Sequence, residues 1–265
     1  MSGRRSDLGA RMLAAIPAIA VALFLVIEGG TIFMLGLIAL GCVCMHELYA
    51  MYARAGPVRL AGFVALAGLL VAARYGGQFQ ILLVAVCALP LVFALTLIQP
   101  RPSVIGLAIT LLGIYWIGFA LAHAVLLREL PHGEGVVIDV LVGTFLGDTG
   151  AYLGGRMFGR RRLAPSVSPG KTVEGLISGM AFAVVGVWLA SRYQDWLPAS
   201  HAFVLGLGVA VVAPVGDLFE SFVKRQSGVK DSGALFGAHG GALDRLDAVL
   251  FTSVVGYYIW FAYVH

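Results

Sequence analysis

The acidic residues of this chain are concentrated where acidic residues are costly. Six of the 14 lie inside or beside apolar segments in the second half of the sequence, and they are Asp148, Asp217, Glu220, Asp231, Asp244 and Asp247. An ionisable side chain at membrane depth marks a functional site by default, because burying its charge is expensive. Converging carboxylates repel one another unless a positive group lies between them. Because hard divalent cations prefer oxygen ligands, the pattern predicts a site for such a cation.

Two pairs of these acids are three residues apart and therefore share a helix face. Asp217 and Glu220 form one pair, and Asp244 and Asp247 form the other. The second pair lies near a predicted helix N-terminus, where carboxylates are favoured. Structural alternatives stay open at this point: Glu220 pairs with the lysine four residues later, Asp217 pairs with an arginine, and Asp247 caps a helix.

Basic residues are interleaved with these acids, and they are Lys171, Lys224, Arg225, Lys230 and Arg245. Arginine offers a planar fork for phosphate oxygens, and lysine offers a point charge. Glycines at 240 and 241 allow the backbone to approach a ligand closely. Acids, bases and glycine together indicate a phosphate group held by a metal ion and by cations. A solvated basic loop is the alternative, and it fully explains the arginine run at 160–162.

Two local motifs do not carry the function that they suggest at first. Gly170-Lys171-Thr172 matches the end of a phosphate-binding P-loop, but that motif needs glycine where this chain has Pro165, and it needs a preceding strand. His239 has no second His or Cys at zinc-ligand spacing, so acid–base catalysis or a hydrogen bond to phosphate is the better interpretation. His46 and Glu47 lie at a helix end, and we interpret them as interfacial.

The elements that must position these residues are membrane helices. Of the 265 residues, 60% are hydrophobic and only 12% are charged, against roughly 25% charged residues in soluble domains. This composition excludes a disordered chain and argues against a soluble fold. Segments of about 20 apolar residues can cross a bilayer, and here they predict an all-α, polytopic integral membrane protein with about nine transmembrane helices. The predicted spans are 12–27, 31–47, 60–75, 79–98, 103–127, 136–154, 175–192, 202–223 and 248–264.

The distribution of basic residues predicts the orientation of these spans. With the N-terminus inside, 15 of the 18 Lys and Arg residues fall on inside segments, as the positive-inside rule requires. We therefore expect the N-terminus and the polar site on the cytoplasmic side of the cell (inner) membrane. The net charge of +4 then reflects topology, and we expect no nucleic-acid partner.

The chain divides into two regions of different character. Residues 1–135 are predicted to form N-terminal transmembrane helices, about five spans with few polar groups. Residues 136–265 are predicted to form a catalytic transmembrane region with two polar cytoplasmic loops, at 155–174 and 224–247. The three cysteines, Cys42, Cys44 and Cys87, fall within spans, and we interpret them as small buried residues.

The motifs of the second region resemble those of the phosphatidate cytidylyltransferase family, also called CDP-diacylglycerol synthases. One stretch contains Ser221-Phe222-Val223-Lys224-Arg225, Lys230-Asp231, His239-Gly240-Gly241 and Asp244-Arg245-Leu246-Asp247. The other contains Asp148-Thr149-Gly150-Ala151-Tyr152, Gly155-Arg156, Phe158-Gly159, Ser168-Pro169-Gly170-Lys171-Thr172 and Glu174-Gly175. The resemblance is strong over residues 145–250, and the first 135 residues match only as a run of membrane helices.

This resemblance implies an integral membrane nucleotidyltransferase that joins CTP and phosphatidic acid to give CDP-diacylglycerol and pyrophosphate. It also implies Mg²⁺ as cofactor, in a two-metal centre, and a homodimer in the lipid bilayer. The candidate metal ligands are Asp217 and Asp244 first, then Asp231 and Asp247, with Asp148 as a further ligand or an orienting group. The candidate catalytic residues are Asp217, Asp231, Asp244, Lys224, Arg225, Arg245 and His239. The candidate phosphate-binding residues are Ser168, Lys171, Thr172, Ser221, Lys230, Gly240 and Gly241.

A transporter is the main alternative from another class of protein. Intramembrane acids and a helix interrupted by proline, here at Pro214, are also features of transporters. Two observations argue against it, because the two halves carry no paired broken helices and the polar residues crowd one face of the membrane. A nearer alternative is an enzyme that uses a different lipid phosphate.

Overall fold

Over the residues that the structure describes, the fold is a bundle of helices with one short hairpin. The computed structural model describes residues 17, 19–233 and 240–265 of the chain. The helices in this part are α1 (Ile19–Glu28), α2 (Gly30–Met51), α3 (Arg59–Tyr75), α4 (Gln78–Leu97), α5 (Val104–Leu112), α6 (Phe119–Glu129), α7 (Gly133–Phe158), α8 (Val173–Ala190), α9 (Ala199–Gln226) and α10 (Leu243–Val264). A π-helical turn, Gly113–Gly118, joins α5 to α6 so that they form one continuous span.

Seven helical segments of the described part are long and apolar enough to cross a bilayer. They are α2, α4, the continuous segment Val104–Glu129, α7, α8, α9 and α10. The prediction of a helical, polytopic membrane protein is thereby confirmed, but the count of nine is not. Helix α3 has 17 residues and α1 is shorter still. The predicted span 12–27 lies partly outside the described residues.

The first polar loop, predicted over 155–174, contains regular structure that the sequence did not predict. Helix α7 continues to Phe158, and two antiparallel strands follow, β1 (Arg162–Ala164) and β2 (Ser168–Thr172). The amide of Val167 donates to the carbonyl of Ala164 and closes the turn between the strands. The Arg162 guanidinium also donates to the Pro169 carbonyl across the hairpin. The residues of these strands show no alternation of apolar and polar side chains that would predict a hairpin. The sequence therefore predicted only a polar loop.

Glycines allow the helices that carry the polar site to pack closely. A Cβ on Gly179 of α8 would lie 2.7 Å from the carbonyl oxygen of Gly147 on α7. A Cβ on Gly216 of α9 would lie 2.6 Å from the carbonyl oxygen of Asp247 on α10. Small residues at helix interfaces let backbones approach each other in membrane proteins, where packing replaces the hydrophobic effect as the driving force.

The two predicted regions pack against each other at both ends of the bundle. At one end, the Trp260 indole donates to the carbonyl of Pro131 at 2.7 Å. At the other end, the Tyr52 hydroxyl donates to the carbonyl of Val223 at 2.7 Å. The end of α7, the start of α8, the end of α9 and the start of α10 lie at the same end as Tyr52. The division of the chain near residue 135 stays a prediction.

Candidate active site

A pocket of about 540 Å³ lies between α7, α8, α9 and the hairpin. Asp148, Lys171, Asp217 and Arg156 supply its charged groups. Its apolar wall consists mostly of small residues, including Gly147, Ala151, Gly179, Ala183, Ala210 and Ala213. Such a pocket combines room for a bulky ligand with charged groups at one end of the bundle.

Lys171 is the central cation of this pocket. Its ammonium forms an ion pair with the Asp217 carboxylate. Asp148 and Asp247 both lie close enough to Asp217 and Lys171 to interact with them electrostatically. Helices α7, α9 and α10 thus each bring one predicted carboxylate to the lysine of β2. Asp217 pairs with a lysine rather than with the arginine that the structural alternative assumed.

A second charged cluster lies beside the pocket, at the junction of α9 and α10. The Lys224 ammonium is 2.6 Å from Glu220 Oε2 and 2.7 Å from Asp244 Oδ1. Glu220 is only 1% exposed, and its Oε1 has no hydrogen-bond partner among the described residues. The i,i+4 pair that the sequence offered as a structural alternative for Glu220 is therefore present, and it is extended by Asp244.

Asp244 is held by backbone donors as well as by Lys224. Its carboxylate accepts hydrogen bonds from the amide of Ser232 at 3.0 Å and from the amide of Gly241 at 2.7 Å. These donors lie on either side of residues 234–239. The carboxylate is thus fixed in place by the segment that precedes α10.

Asp247 lies inside the first turns of α10 and not at the cap position. Its Oδ1 accepts a hydrogen bond from the amide of Ala248 at 2.7 Å. The helix begins at Leu243, with Ala242 as the preceding residue. The structural alternative that Asp247 caps the helix does not hold.

Two further predicted residues have structural contacts of their own. The Arg225 side chain donates to the carbonyls of Val167 and Val229, both at 3.3 Å, and so ties the hairpin turn to the end of α9. The Thr172 hydroxyl accepts a hydrogen bond from the amide of Gly175 at 3.1 Å and caps α8.

The remaining predicted site residues are spread along the same end of the bundle. Ser168 lies in β2, Ser221 lies in α9, and Arg245 is exposed in the first turn of α10. Lys230 and Asp231 are exposed in the segment after α9. Gly240 has a left-handed backbone with φ of 81°, and a Cβ there would meet the Asp244 carboxylate. The prediction for His239 falls outside the described residues.

Sequence reasoning missed two residues near the site. Glu47 of α2, interpreted as interfacial, is 6% exposed and accepts hydrogen bonds from Ser232, Ala242 and Leu243. An acidic residue at the end of a predicted span could have indicated a functional role for Glu47, because the same feature was used to select the other acids. Arg156 lines the pocket, and its Nη1 donates to the Tyr152 hydroxyl at 3.2 Å.

The carboxylates do not form a ready-made metal cage. Among the described residues, no three His, Cys, Asp or Glu side chains stand close enough together to hold a metal ion. The acids are instead divided between the Lys171 cluster and the Lys224 cluster. Each cluster offers only oxygen donors, which is the donor chemistry of Mg²⁺ rather than of zinc.

The fold and the site together define a multi-pass membrane protein with a charged pocket at one end of its helices. A sequence profile described as the Cytidylyltransferase family matches residues 9–263, so the chain belongs to that family. A phosphatidate cytidylyltransferase of Brucella suis is 34% identical over 258 residues, covering 95% of this chain and 93% of that protein. One of Pseudomonas aeruginosa is 35% identical over 256 residues, covering 90% and 92%. The uncharacterized protein YnbB of Escherichia coli is 39% identical over 145 residues, covering 53% and 49%.

Proposed function

We propose that this chain is a phosphatidate cytidylyltransferase, which converts CTP and phosphatidic acid to CDP-diacylglycerol and pyrophosphate. The family assignment and the names of relatives that match nearly the whole chain support this activity. The observation that carries the proposal is the pocket at Lys171 and Asp217, which combines phosphate-binding charge with an apolar wall. A substrate with a phosphate head and acyl chains needs both.

The pocket suggests how the two parts of the lipid are accommodated. Helices α7, α8 and α9 carry large exposed apolar side chains, such as Phe145, Phe182 and Val211, as expected of surfaces that face lipid. The acyl chains can therefore remain in the bilayer while the phosphate enters the pocket from the side. Lys171 and Arg156 then meet the phosphate at the pocket's charged end.

Positioning and charge neutralisation are the main contributions of the chain's own residues. The lipid phosphate attacks the α-phosphorus of CTP in line, and pyrophosphate leaves from the opposite side. A phosphate monoester is already anionic at pH 7, so no strong general base is required. Lysine and arginine side chains that hold both phosphates in this geometry remove most of the entropic cost of bringing them together.

Mg²⁺ is the cofactor that we propose for this site. In a two-metal centre, Asp217, with Asp148 and Asp247, would hold one ion at the Lys171 cluster, and Asp244 would hold the other at the Lys224 cluster. The all-oxygen donor set fits Mg²⁺. Asp231 is exposed and is a weaker candidate. Ions held there would supply Lewis-acid stabilisation of the charge that develops in the displacement.

We further propose nine membrane spans with the site on the cytoplasmic side of the inner membrane, and a homodimer. Helix α3 is short, but its two ends lie at opposite ends of the bundle. Its start is held by the Val58 amide bonded to Thr110, and its end by the Arg74 ion pair with Glu129. A cytoplasmic site gives CTP direct access, and it agrees with the distribution of basic residues.

The experiment is an assay of the purified protein in detergent with labelled CTP, phosphatidic acid and Mg²⁺. We expect label from the CMP moiety to appear in the lipid phase. Asp217→Ala and Asp244→Ala should each lower turnover by orders of magnitude, whereas the exposed Asp195→Ala, at the other end of the bundle, should leave it unchanged. A wild-type protein that transfers no label to phosphatidic acid would rule out this activity, and transfer to another lipid phosphate would change the substrate.

A further inference from the structure

Glu47 is a buried carboxylate in the half of the chain that carries no motif. It lies one turn before the end of α2 and is 6% exposed. Its Oε2 accepts hydrogen bonds from the Ser232 hydroxyl at 3.0 Å and from the Leu243 amide at 2.9 Å. Its Oε1 accepts one from the Ala242 amide at 2.9 Å. All three donors lie some 190 residues further along the chain.

These hydrogen bonds cap a helix from a distance. The first amides of a helix have no partners within it, and they carry partial positive charge. Ala242, the residue before α10, has no side-chain acceptor to satisfy them. Glu47 supplies the missing acceptor from another helix, so a neutral set of donors and the helix dipole stabilise its charge.

Glu47 and Asp244 share one backbone segment. Ser232 donates its hydroxyl to Glu47 and its amide to Asp244. Gly241 donates its amide to Asp244, and the next two amides bond to Glu47. The two carboxylates therefore clamp the residues on either side of 234–239, and a movement of Glu47 shifts the donors that fix Asp244.

Glycines lie where the backbone passes closest to the Glu47 carboxylate. A Cβ on Gly233 would lie 2.6 Å from Glu47 Oε1, and one on Gly241 would meet both Glu47 Oε2 and the Ser232 hydroxyl. Only glycine leaves room for the carboxylate at these two positions.

We propose that Glu47 is a positioning residue of the active site, which acts through Ser232 and the backbone of Gly241–Leu243 to hold Asp244 where it serves the reaction. The proposal rests on the proposed function, because it concerns the same site. Glu47 lines no part of the pocket around Lys171. Partners that orient a metal ligand typically contribute roughly 10–100-fold to metal affinity or activity.

The test is Glu47→Gln, which keeps the shape but loses the charge and replaces one acceptor oxygen by a donor. We expect kcat/KM to fall about 10–100-fold and the Mg²⁺ concentration for half-maximal rate to rise about tenfold. Hydrogen exchange in the peptide that spans Gly240–Leu246 should accelerate, because Ala242 and Leu243 donate to different oxygens of Glu47 and one of these two amides loses its acceptor. Glu134→Gln, an exposed glutamate at the other end of the bundle, is the matched control and should change none of these.

Several outcomes decide the proposal. A folded Glu47→Gln protein with wild-type Mg²⁺ dependence and unchanged exchange would overturn it. Lower yield alone, with a normal Mg²⁺ dependence of the folded fraction, would show a purely structural role and would also overturn it. If Glu47→Gln does not fold, Ser232→Ala removes one of the three hydrogen bonds and should shift Mg²⁺ dependence and exchange in the same direction by less. Absence of wild-type activity would refute the proposed function, while the exchange readout would still test the clamp.

Discussion

At the scale of single residues, Lys224 connects α9 and α10 through ion pairs. It joins two carboxylates from different helices, and its side chain is 12% exposed. The charges of Lys224, Glu220 and Asp244 stabilise one another, and burying any of them without its partners would cost free energy. Removing one partner of a buried ion pair leaves the other uncompensated, which is far more harmful than never having the pair.

We therefore expect Lys224→Met to destabilise the protein by about 3–5 kcal/mol. Glu220 and Asp244 would then face each other at the α9–α10 junction without a cation between them. The free energy of unfolding in detergent, followed by denaturant titration, measures the effect. The exposed Lys230→Met is the control and should change stability by less than about 0.5 kcal/mol.

Adding Glu220→Gln to Lys224→Met removes one of the two facing carboxylates, so the double variant should recover part of the lost stability. If the single variant were as stable as wild type, or if the double variant recovered nothing, this account of the cluster would be wrong.

The Thr172 hydroxyl can cap α8 and bind a phosphate at the same time. Its hydroxyl accepts the Gly175 amide as the cap of α8, which leaves its hydrogen available for donation to a phosphate. Thr172→Ala should lower stability by about 1 kcal/mol and should also raise the KM for CTP. Thr172→Ser should preserve both. A Thr172→Ala protein with reduced stability but an unchanged KM for CTP would leave the cap as the residue's whole role.

The sequence singled out acids that the structure brings to one end of the bundle, but it did not indicate how they are grouped. Residue type and membrane depth were enough to select Asp148, Asp217 and Asp244, because carboxylates are rare in apolar segments. The partners depend on tertiary contacts between distant positions. The Glu47 hydrogen bonds to Ala242 and the Arg225 hydrogen bond to Val167 could not be inferred from spacing along the chain.

At the scale of elements, the pocket depends on how closely α7 and α8 approach each other. The contact is made at glycines and alanines: a Cβ on Gly179 would lie 2.9 Å from the Cβ of Ala151 and 2.7 Å from the Gly147 carbonyl oxygen. Gly147, Ala151 and Gly179 also line the pocket. The same small residues therefore fix the helix separation and the shape of the pocket.

A single methyl group at this contact should change both the separation of α7 and α8 and the shape of the pocket. We expect Gly179→Ala to cost about 1–3 kcal/mol, because the facing atoms are backbone atoms and the Cβ of Ala151, none of which can rotate away. It should also lower kcat/KM for phosphatidic acid. Gly68→Ala in α3 is the matched control, since its Cβ would meet only the Val84 side chain at 3.5 Å, and it should be neutral or slightly stabilising. Equal stabilities for the two variants would contradict a backbone-limited α7–α8 contact.

The helices themselves were predictable because apolar length is a strong signal in membrane proteins. Each predicted span overlaps a helix, so far as the chain is described, and the π-helical turn at Gly113–Gly118 does not interrupt its span. The hairpin was not predictable, because β1 and β2 are held by a few contacts among polar residues. Helix ends also differ from the predicted spans, as at α9, which extends to Gln226 rather than residue 223.

At the scale of the whole molecule, the charged groups divide the bundle into two unlike ends. The site end carries the hairpin, the Lys171 and Lys224 clusters and the Glu47 clamp. The other end is closed by interactions such as the Arg128 bonds to α1, the stacking of His132 on Trp196 at 4.5 Å and the Trp260 indole bond to the Pro131 carbonyl at 2.7 Å. Tryptophan is enriched where helices meet the membrane interface.

This asymmetry leads to a prediction about orientation that labelling can test. In a background without Cys42, Cys44 and Cys87, single cysteines are placed at Tyr193, which is 88% exposed at the Trp196 end, and at the exposed Gln226 beside the site. A membrane-impermeant maleimide added to intact spheroplasts should label Tyr193→Cys. It should label Gln226→Cys only after the membrane is permeabilised, because the proposed topology puts that position on the cytoplasmic side, where CTP is found. The reverse pattern would place the active site on the outer side and would overturn the proposed topology. Labelling of both positions before permeabilisation would mean that they do not lie on opposite sides of the membrane, and the proposed count of nine spans would then fail with it.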